Sequence, residues 1–303
     1  MSEVHQIFDR ALLRRRRDRV AENLEAHAFL LDRFADDILD RLAFIERRFA
    51  RVLVIGAHHG AFSARLSQLP GVAFVVSTET SQKMLDLSRG LRVMADEEAL
   101  PFAEDAFDLV IGALTLQFVN DLPGALVQIR RILRPDGLFL GGILGGGTLQ
   151  ELRRSWLEAE SEVTGGASPR VAPFADVRDL GGLLQRAGFA LPVADADLVR
   201  VRYGSPLALM QDVKAMGAGN VLADRRRVPV GRRLLLRAAE IYAERFGEAD
   251  GRIPATFEIL TMTAWAPHES QQKPLPPGSA QVRLADALQA KEHRLPGTRD
   301  GKP

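Results

Sequence analysis

The sequence predicts a doubly wound α/β fold, in which helices cover both faces of a mostly parallel sheet. From residue 51 onward, short apolar runs such as RVLVIGA and FDLVIGAL alternate with stretches of helical periodicity such as LPGALVQIRRIL. Strands that are apolar on both faces and separated by helices are typical of a buried parallel sheet. We therefore assign residues 51–147 to this core and expect its ligand at the carboxyl ends of the strands.

Residues 1–50 are predicted to form an N-terminal helical segment. Arg14 to Arg17 form a charge run, which we interpret as a solvated helix face rather than a site for an acidic partner. After this run, apolar side chains recur every three or four positions, as in an amphipathic helix that docks on a larger body. These side chains are Leu31, Phe34, Ile38, Leu42, Ile45 and Phe49.

Residues 148–266 are expected to add helices and strands that complete the sheet and cover the substrate. LQELRRSWLEAES and RRLLLRAAEIYAERFG have helical periodicity, whereas LVRVRYGS and TFEILTMTAWAP are typical of strands. Gly188 follows an apolar-periodic stretch and predicts the end of a helix. Residues 267–303 turn to Gln, Pro and Gly, and we expect a loosely packed polar tail.

Composition excludes several classes of site. The chain of 303 residues has no cysteine, so disulfides, thiolate zinc sites, iron–sulfur ligation and cysteine nucleophiles are excluded. Forty basic residues nearly balance 39 acidic ones, and the net charge of +1 gives no reason to expect nucleic-acid binding. Because no signal-peptide core and no apolar run of membrane-spanning length is visible, we expect a cytoplasmic protein without an integral membrane segment.

The stretch VLVIGAHHG predicts a buried strand that runs into a tight glycine turn, a usual place for a nucleotide-type cofactor. Glu79 follows Gly60 by nineteen residues and is expected to end the second strand. Its carboxylate can accept two hydrogen bonds from adjacent ribose hydroxyls. By spacing alone, an acid that stabilises the N-terminus of the next helix is an equally good interpretation.

The block from Asp96 to Leu144 resembles class I S-adenosylmethionine-dependent methyltransferases, which have a Rossmann-like sheet. That family reads D-x-x-x-L-P-F, F-D-x-V and L-x-P-x-G in this order, and DEEALPF, FDLV and LRPDG match it. ETSQKML similarly resembles the family's acid-x-S-x-x-M-L. The resemblance implies S-adenosyl-L-methionine as the cofactor, Asp96 beside the adenine amino group and a backbone amide from Glu97. The implied cofactor-binding residues are Gly56, Ala57, His58, Gly60, Glu79, Thr80, Asp96, Glu97, Ala113 and Leu114.

The glycine loop departs from the family pattern acid-x-G-x-G-x-G. Val54 stands in place of the acid and His58 in place of the middle glycine, and one lost charge-assisted contact weakens cofactor binding by roughly 1–3 kcal/mol. We expect His58 to avoid a strongly left-handed backbone angle and its side chain to point away from the methionine moiety. Metal ligation by His58 and His59 is disfavoured because sequence neighbours point in divergent directions, and no metal is predicted.

The flanking stretches resemble a narrower family, complex I assembly factor 5 and its bacterial relatives, which is related to the malonyl-carrier-protein methyltransferase of biotin synthesis. IFDRALLRRRRDRV near the N-terminus and WAPHESQ (Trp265 to Gln271) carry this resemblance. It implies an enzyme in the assembly of NADH:quinone oxidoreductase that hydroxylates an arginine of a quinone-module subunit. It also implies work at the inner face of the membrane that holds complex I.

Two other functions stay open. One is methyl transfer to a carrier-bound or small carboxylic acid, and the other is a non-catalytic assembly chaperone with a degenerate cofactor loop. Gln117, Tyr203 and Asp212 are candidates for holding a substrate, with Arg178 as a further candidate. Asp212 can pair bidentately with a guanidinium, although an ordinary helix-surface charge is the commoner role. No catalytic residue is assigned.

Overall fold

The computed structural model describes residues 6–173, 175–272, 279, 282 and 284–289. Its strands are β1 (Arg51–Ile55), β2 (Phe74–Glu79), β3 (Leu91–Met94), β4 (Phe107–Ala113), β5 (Leu133–Leu144), β6 (Ala190–Tyr203) and β7 (Ile253–Trp265). They form one seven-stranded sheet in the order β3-β2-β1-β4-β5-β7-β6. Every neighbouring pair is parallel except those that involve β7, which runs antiparallel to β5 and β6. The predicted doubly wound fold is confirmed.

In the part of the chain that the structure describes, two α-helices and a 3-10 helix precede the sheet, and further helices connect its strands. They are α1 (Arg10–Val20), a 3-10 helix (Ala21–His27), α2 (Phe29–Ala43), α3 (Ala61–Leu66), α4 (Gln82–Leu87), a 3-10 helix (Leu116–Phe118), α5 (Leu122–Ile132), α6 (Gln150–Thr164), α7 (Val177–Arg186), α8 (Pro206–Ala215) and α9 (Arg232–Phe246). Residues 269–303 form a separate compact unit, in which the structure describes the short helix α10 (Leu284–Ala287). Within the described ranges, no helix is long and apolar enough to cross a membrane.

The strands are apolar throughout because the sheet is covered on both faces. Val52 and Val54 of β1 belong to one buried cluster with α2, α6 and α9, whereas Leu53 and Ile55 belong to a second cluster with α5 and α7. Successive side chains of a strand point to opposite faces, so a strand between two helical layers needs an apolar residue at every position. The continuous runs in the sequence have this origin.

The N-terminal helix α2 is shorter than the apolar pattern predicted. It buries Phe34, Ile38 and Leu42 but ends at Ala43, and Ile45 and Phe49 lie in the segment that leads into β1. Phe49 is still buried against the main core. A buried side chain in a connecting segment continues the apolar spacing by coincidence, and periodicity alone does not distinguish it from another helical turn.

The edge strand β6 begins at Ala190, eight residues before the predicted start at Leu198. The residues before Leu198 include Asp195 and Asp197, and Asp is depleted in strands. Here the two acids lie on an edge strand and pair with Arg41 and Arg33, which makes them compatible with the sheet. Most of the polar tail predicted over residues 267–303 lies outside the described residues.

Candidate functional site

The loop after β1 lies where the strand order reverses, between β1 and β4. The amides of Gly56 and Ala57 donate to the carbonyl of Thr78 at 3.0 and 2.9 Å, which fixes the loop on the end of β2. Gly56 has φ +74°, and a Cβ atom there would lie 2.6 Å from the Cβ of Thr115. Only glycine satisfies both the left-handed angle and the close approach.

His58 adopts φ +50°, so the expectation that it avoids a left-handed angle is wrong. Two hydrogen bonds hold it in this conformation: its amide donates to Oε2 of Glu79 at 3.2 Å, and its Nε2 lies 2.7 Å from the carbonyl oxygen of Ala113. Burial lowers the pKa of His58 to about 4, against the opposing effect of Glu79. The ring is therefore neutral at pH 7, and Nε2 carries the proton because a carbonyl oxygen only accepts.

Glu79 ends β2 as a buried, ionised carboxylate. Its Oε1 accepts hydrogen bonds from the amides of Thr80 at 2.9 Å and Ser81 at 3.3 Å, and from Nη1 of Arg17 at 2.8 Å. Burial opposes ionisation, but Arg17, His58 and the two amides outweigh it and hold the pKa of Glu79 at about 2. With 1% of its surface exposed, Glu79 is covered by its own protein.

Arg17 of α1 is the residue that covers it. Its Nη2 donates to Oγ1 of Thr115 at 2.9 Å, and Thr115 in turn donates to Oε1 of Glu97 at 2.5 Å. Arg17 is 3% exposed, so the predicted solvated face of Arg14 to Arg17 does not extend to its last member. Leu13 lies four residues earlier and is also buried, which places both side chains on the inward face of α1.

A second arginine of α1 binds the acids that follow β3. Nη2 of Arg10 donates to Oδ1 of Asp96 at 2.7 Å, and the same guanidinium contacts the buried carboxylate of Glu97. The seven-residue spacing puts Arg10 and Arg17 on the same face of α1, two turns apart. The side chain of Asp96 stays 45% exposed and lies beside a cavity of about 320 Å³ that Thr80 also lines.

These contacts test how the residues fit S-adenosylmethionine. On the adenine side, the accessible carboxylate of Asp96 and the adjoining cavity suit the adenine ring and its amino group. On the ribose side, Glu79 is a carboxylate of the right kind at the end of β2, but its hydrogen-bonding positions are taken. The donor set therefore fits the cofactor, with the requirement that Arg17 gives way before a ribose can reach Glu79.

A second cavity, of about 290 Å³, adjoins the other side of the loop at His58 and Leu114. Its walls are mostly Leu, Val, Met and aromatic side chains, contributed by α1, α2, α6, α8 and several connecting segments. Gln117 lines it: Nε2 donates to the carbonyl of Leu114 at 2.8 Å, whereas Oε1 is buried with no partner in the described part of the chain. None of the described lining residues is Asp or Glu.

The other substrate candidates lie at different places relative to this cavity. Tyr203 donates its hydroxyl proton to Oδ2 of Asp212 at 2.6 Å, and Oδ1 of Asp212 lies 2.5 Å from Nδ1 of His27, a cavity-lining residue. Both oxygens of Asp212 are thus engaged within the protein, which removes the bidentate guanidinium site predicted for it. Arg178 is exposed in the first turn of α7 and does not line the cavity.

Sequence reasoning missed four residues of the site: Arg10, Arg17, His27 and Thr115. The spacing of the two arginines on one helix face was a usable indication, since Leu13 lies on the same face. His27 and Thr115 reach the site through tertiary packing, which no local pattern reveals. In the described ranges, no group of three or more His, Asp or Glu side chains could hold a metal ion.

Comparison with known proteins connects this geometry to a family. Residues 53–141 match the family described as a methyltransferase domain. The zebrafish (Danio rerio) protein named arginine-hydroxylase NDUFAF5, mitochondrial, is 41% identical over 92% of this chain and 89% of its own length. The human protein of that name is 40% identical over 92% of this chain and 83% of its own length. The chain belongs to the NDUFAF5 arginine-hydroxylase family.

The NDUFAF5 family is itself related to methyl-transferring enzymes. A malonyl-[acyl-carrier protein] O-methyltransferase from Halorhodospira halophila is 35% identical over 86% of this chain and 89% of its own length. This relationship and the matching domain confirm the predicted resemblance, and the chain is an enzyme of the S-adenosylmethionine-dependent methyltransferase superfamily.

A solved structure agrees on the fold. Phosphoethanolamine N-methyltransferase 2 of Haemonchus contortus, solved with S-adenosylhomocysteine, has a TM-score of 0.53 and 14% identity, and the alignment covers 84% of this chain and 60% of that one.

Proposed function

We propose that this member of the NDUFAF5 family binds S-adenosyl-L-methionine and hydroxylates an arginine of a quinone-module subunit of complex I during its assembly. The similarity to proteins named arginine-hydroxylase, which extends over 92% of the chain, carries the proposal. The proposed location is the cytoplasm, at the inner face of the membrane that holds complex I. The protein partner is the subunit that carries the arginine.

The chain's own residues would bind the cofactor in two parts. Asp96 would accept a hydrogen bond from the adenine amino group beside the open cavity. Glu79 would accept hydrogen bonds from the ribose hydroxyls once Arg17 is displaced. The loop from Gly56 to Gly60 would lie against the methionine end, with most of its amides already bonded within the protein. When bound, the cofactor would supply a methyl group on a sulfonium, which is the chemistry of methyl transfer. Conversion of an arginine C–H bond to C–OH is a two-electron oxidation and would also need O₂ and a reductant from outside this chain. What the protein contributes is orientation and the exclusion of water.

The remaining cofactor candidates have lesser parts in this proposal. Thr80 follows Glu79 and fixes its carboxylate through the backbone amide, and Ala113 fixes the ring of His58 through its carbonyl. Leu114 lines the 290 Å³ cavity next to the loop. Glu97, expected to use its backbone amide, also neutralises Arg10 and Arg17 with its buried side chain.

The decisive experiment is a deletion strain in which complex I activity and the modified fraction of its quinone-module arginine are measured by mass spectrometry. The wild-type gene is expected to restore both, and Asp96→Ala to restore neither. Glu104→Ala, an exposed acid outside the site, is the matched control and is expected to behave as wild type. Normal activity and normal modification in the deletion strain would refute the proposal.

One observation favours a second function, methyl transfer to a carrier-bound or small carboxylic acid. The described lining of the 290 Å³ cavity contains basic side chains, Arg170 and Lys214 among them, but no acidic one, between largely apolar walls. Such a lining suits an acyl chain that ends in a carboxylate. Rescue of a biotin auxotroph together with methyl transfer in vitro would support this function, and failure of both would reject it.

Two substitutions in the loop, Val54 for the expected acid and His58 for the middle glycine, motivate the third function, a chaperone without a working cofactor loop. Calorimetric titration with S-adenosylmethionine separates it from the two enzymes. Binding that is abolished by Glu79→Ala would reject the chaperone, whereas the absence of binding by the wild-type protein would support it.

A further inference from the structure

Three side chains from distant parts of the chain meet behind the wall of the 290 Å³ cavity, and one of them, His27, lines it. His27 ends the first 3-10 helix, Tyr203 ends β6, and Asp212 lies in α8. Asp212 accepts the hydroxyl proton of Tyr203 on one oxygen and contacts Nδ1 of His27 with the other. Burial and then Asp212 raise the pKa of Tyr203, so the phenol keeps its proton and stays a donor.

This arrangement fixes which ring nitrogen of His27 is available. A carboxylate accepts hydrogen bonds, so Nδ1 carries the proton that is shared with Asp212. Nε2 has no hydrogen-bond partner in the described ranges, and the side chain is 33% exposed at the cavity wall. A histidine whose second nitrogen is held by a carboxylate is the usual arrangement for an oriented acceptor.

The cavity otherwise has few acceptors for a cation. None of its described lining residues is acidic, and the ring of His58 is already committed to the carbonyl of Ala113. Oε1 of Gln117, buried and without a partner in the described part of the chain, is a further side-chain acceptor at this wall. The lining residues Arg17 and Arg170 pair with Glu79 and Glu160, whereas Asp212 contacts the cavity through the imidazole of His27.

We propose that Nε2 of His27 accepts an N–H hydrogen bond from a substrate guanidinium in this cavity, with Asp212 and Tyr203 as positioning residues. The inference rests on the proposed arginine substrate and deepens it by naming the group that receives the side chain. A guanidinium has five N–H donors and no acceptor, so it requires such groups. No proton needs to leave the guanidinium in this step.

The test uses the full-length protein with S-adenosylhomocysteine present and Nα-acetylarginine amide as the probe. His27→Asn keeps an N–H near the position of Nδ1, for Asp212, and removes Nε2. We expect this variant to bind the probe about tenfold more weakly or worse, because a hydrogen bond to a charged group is lost. Glu25→Gln, an exposed change on the same 3-10 helix, is the matched control and is expected to bind as wild type.

Nitrogen-15 NMR of the His27 ring gives a readout that a merely structural role would not change. In the wild type we expect a protonated Nδ1 and an Nε2 resonance that shifts when the probe is added. In Asp212→Asn the amide can donate to Nδ1, so the proton is expected to move to Nε2 and the probe-induced shift to disappear. Tyr203→Phe is expected to weaken probe binding less than Asp212→Asn.

Two results would overturn the inference. One is equal affinity of wild type and His27→Asn for the probe. The other is a wild-type protein that binds malonate but not Nα-acetylarginine amide. Titration of S-adenosylhomocysteine into fresh samples of the same proteins separates the two levels. Intact cofactor binding with equal probe affinity defeats only the role of His27, whereas binding of malonate alone also counts against an arginine substrate. A wild-type protein that fails to bind the cofactor contradicts the proposed function itself.

Discussion

Replacement of Arg17 by methionine tests whether α1 competes with the cofactor for Glu79. Methionine keeps an unbranched apolar stem beside Leu13 and Phe118 but removes the guanidinium that binds Glu79 and Thr115. We expect two opposite effects. The fold loses stability because a buried carboxylate loses its partner, and the cofactor binds more tightly because Glu79 is freed.

The loss of stability can be estimated from Glu79. A carboxyl pKa lowered from 4.5 to about 2 corresponds to roughly 3 kcal/mol of favourable interaction with the ionised form. Removal of one partner from a buried ion pair typically costs about 3–5 kcal/mol. We therefore expect Arg17→Met to lower the free energy of unfolding by roughly 3 kcal/mol at pH 7, measured by urea denaturation.

The pH dependence has a definite sign. The pKa of Glu79 is lower in the folded than in the unfolded protein, so its contribution is fully present above pH 4.5 and is lost as the pH falls toward 2. The difference in stability between wild type and Arg17→Met should shrink over that range. Arg15→Met, an exposed change on the same helix, removes the same charge and is expected to have little effect.

The gain in affinity follows from the contact that the cofactor no longer has to break. A charge-assisted hydrogen bond contributes roughly 1.5–3 kcal/mol, so S-adenosylhomocysteine should bind the variant about tenfold more tightly or better by calorimetry. A folded Arg17→Met protein that binds S-adenosylhomocysteine more weakly than wild type would refute the reasoning. Arg17 would then belong to the cofactor's binding site rather than compete with it.

Three further substitutions have defined outcomes. Gly56→Ala should lower the free energy of unfolding by well over the roughly 1–2 kcal/mol that a left-handed alanine costs, because its Cβ would lie 2.6 Å from the side chain of Thr115. The control is Gly90→Ala, at φ +83° with nothing within 4 Å, which should cost only that backbone penalty. The imidazole of His58 should titrate by NMR near pH 4. Since this folded pKa lies below the ordinary 6.5, the free energy of unfolding should decrease as the pH is lowered from 6.5 to 4. His58→Gln should lack that part of the decrease. Tyr242→Phe leaves the buried carbonyl of Pro254 without its hydroxyl donor and should lower the free energy of unfolding in urea by roughly 1–3 kcal/mol.

The sequence predicted the sheet well because burial on both faces leaves a direct trace in composition. The strands β1 and β4 sit between helical layers, and their runs of apolar residues have no other common explanation in a chain with alternating helices. The edge strand β6 was predicted in part, because one side of an edge strand is solvated and tolerates Asp195 and Asp197.

The site was less accessible to sequence reasoning because its key contacts join distant segments. Glu79 was found from its spacing after the glycine loop and Asp96 from the family resemblance, but their partners Arg17 and Arg10 lie more than sixty residues earlier. Within a run of arginines, the sequence does not show which side chain is buried and which is solvated. The angle at His58 was mispredicted because hydrogen bonds to Glu79 and Ala113, which only the tertiary structure supplies, offset its backbone cost.

The contacts of α1 also have an evolutionary consequence. Arg10 and Arg17 neutralise three carboxylates that follow two different strands, so a change at any one of these positions leaves a charge unbalanced at the others. Single substitutions there should be selected against, and paired ones tolerated. In an alignment of the family, the two arginine positions and the acids at 79, 96 and 97 should therefore covary. The first helix of the chain and the β2–β3 edge of its sheet would be inherited as one unit.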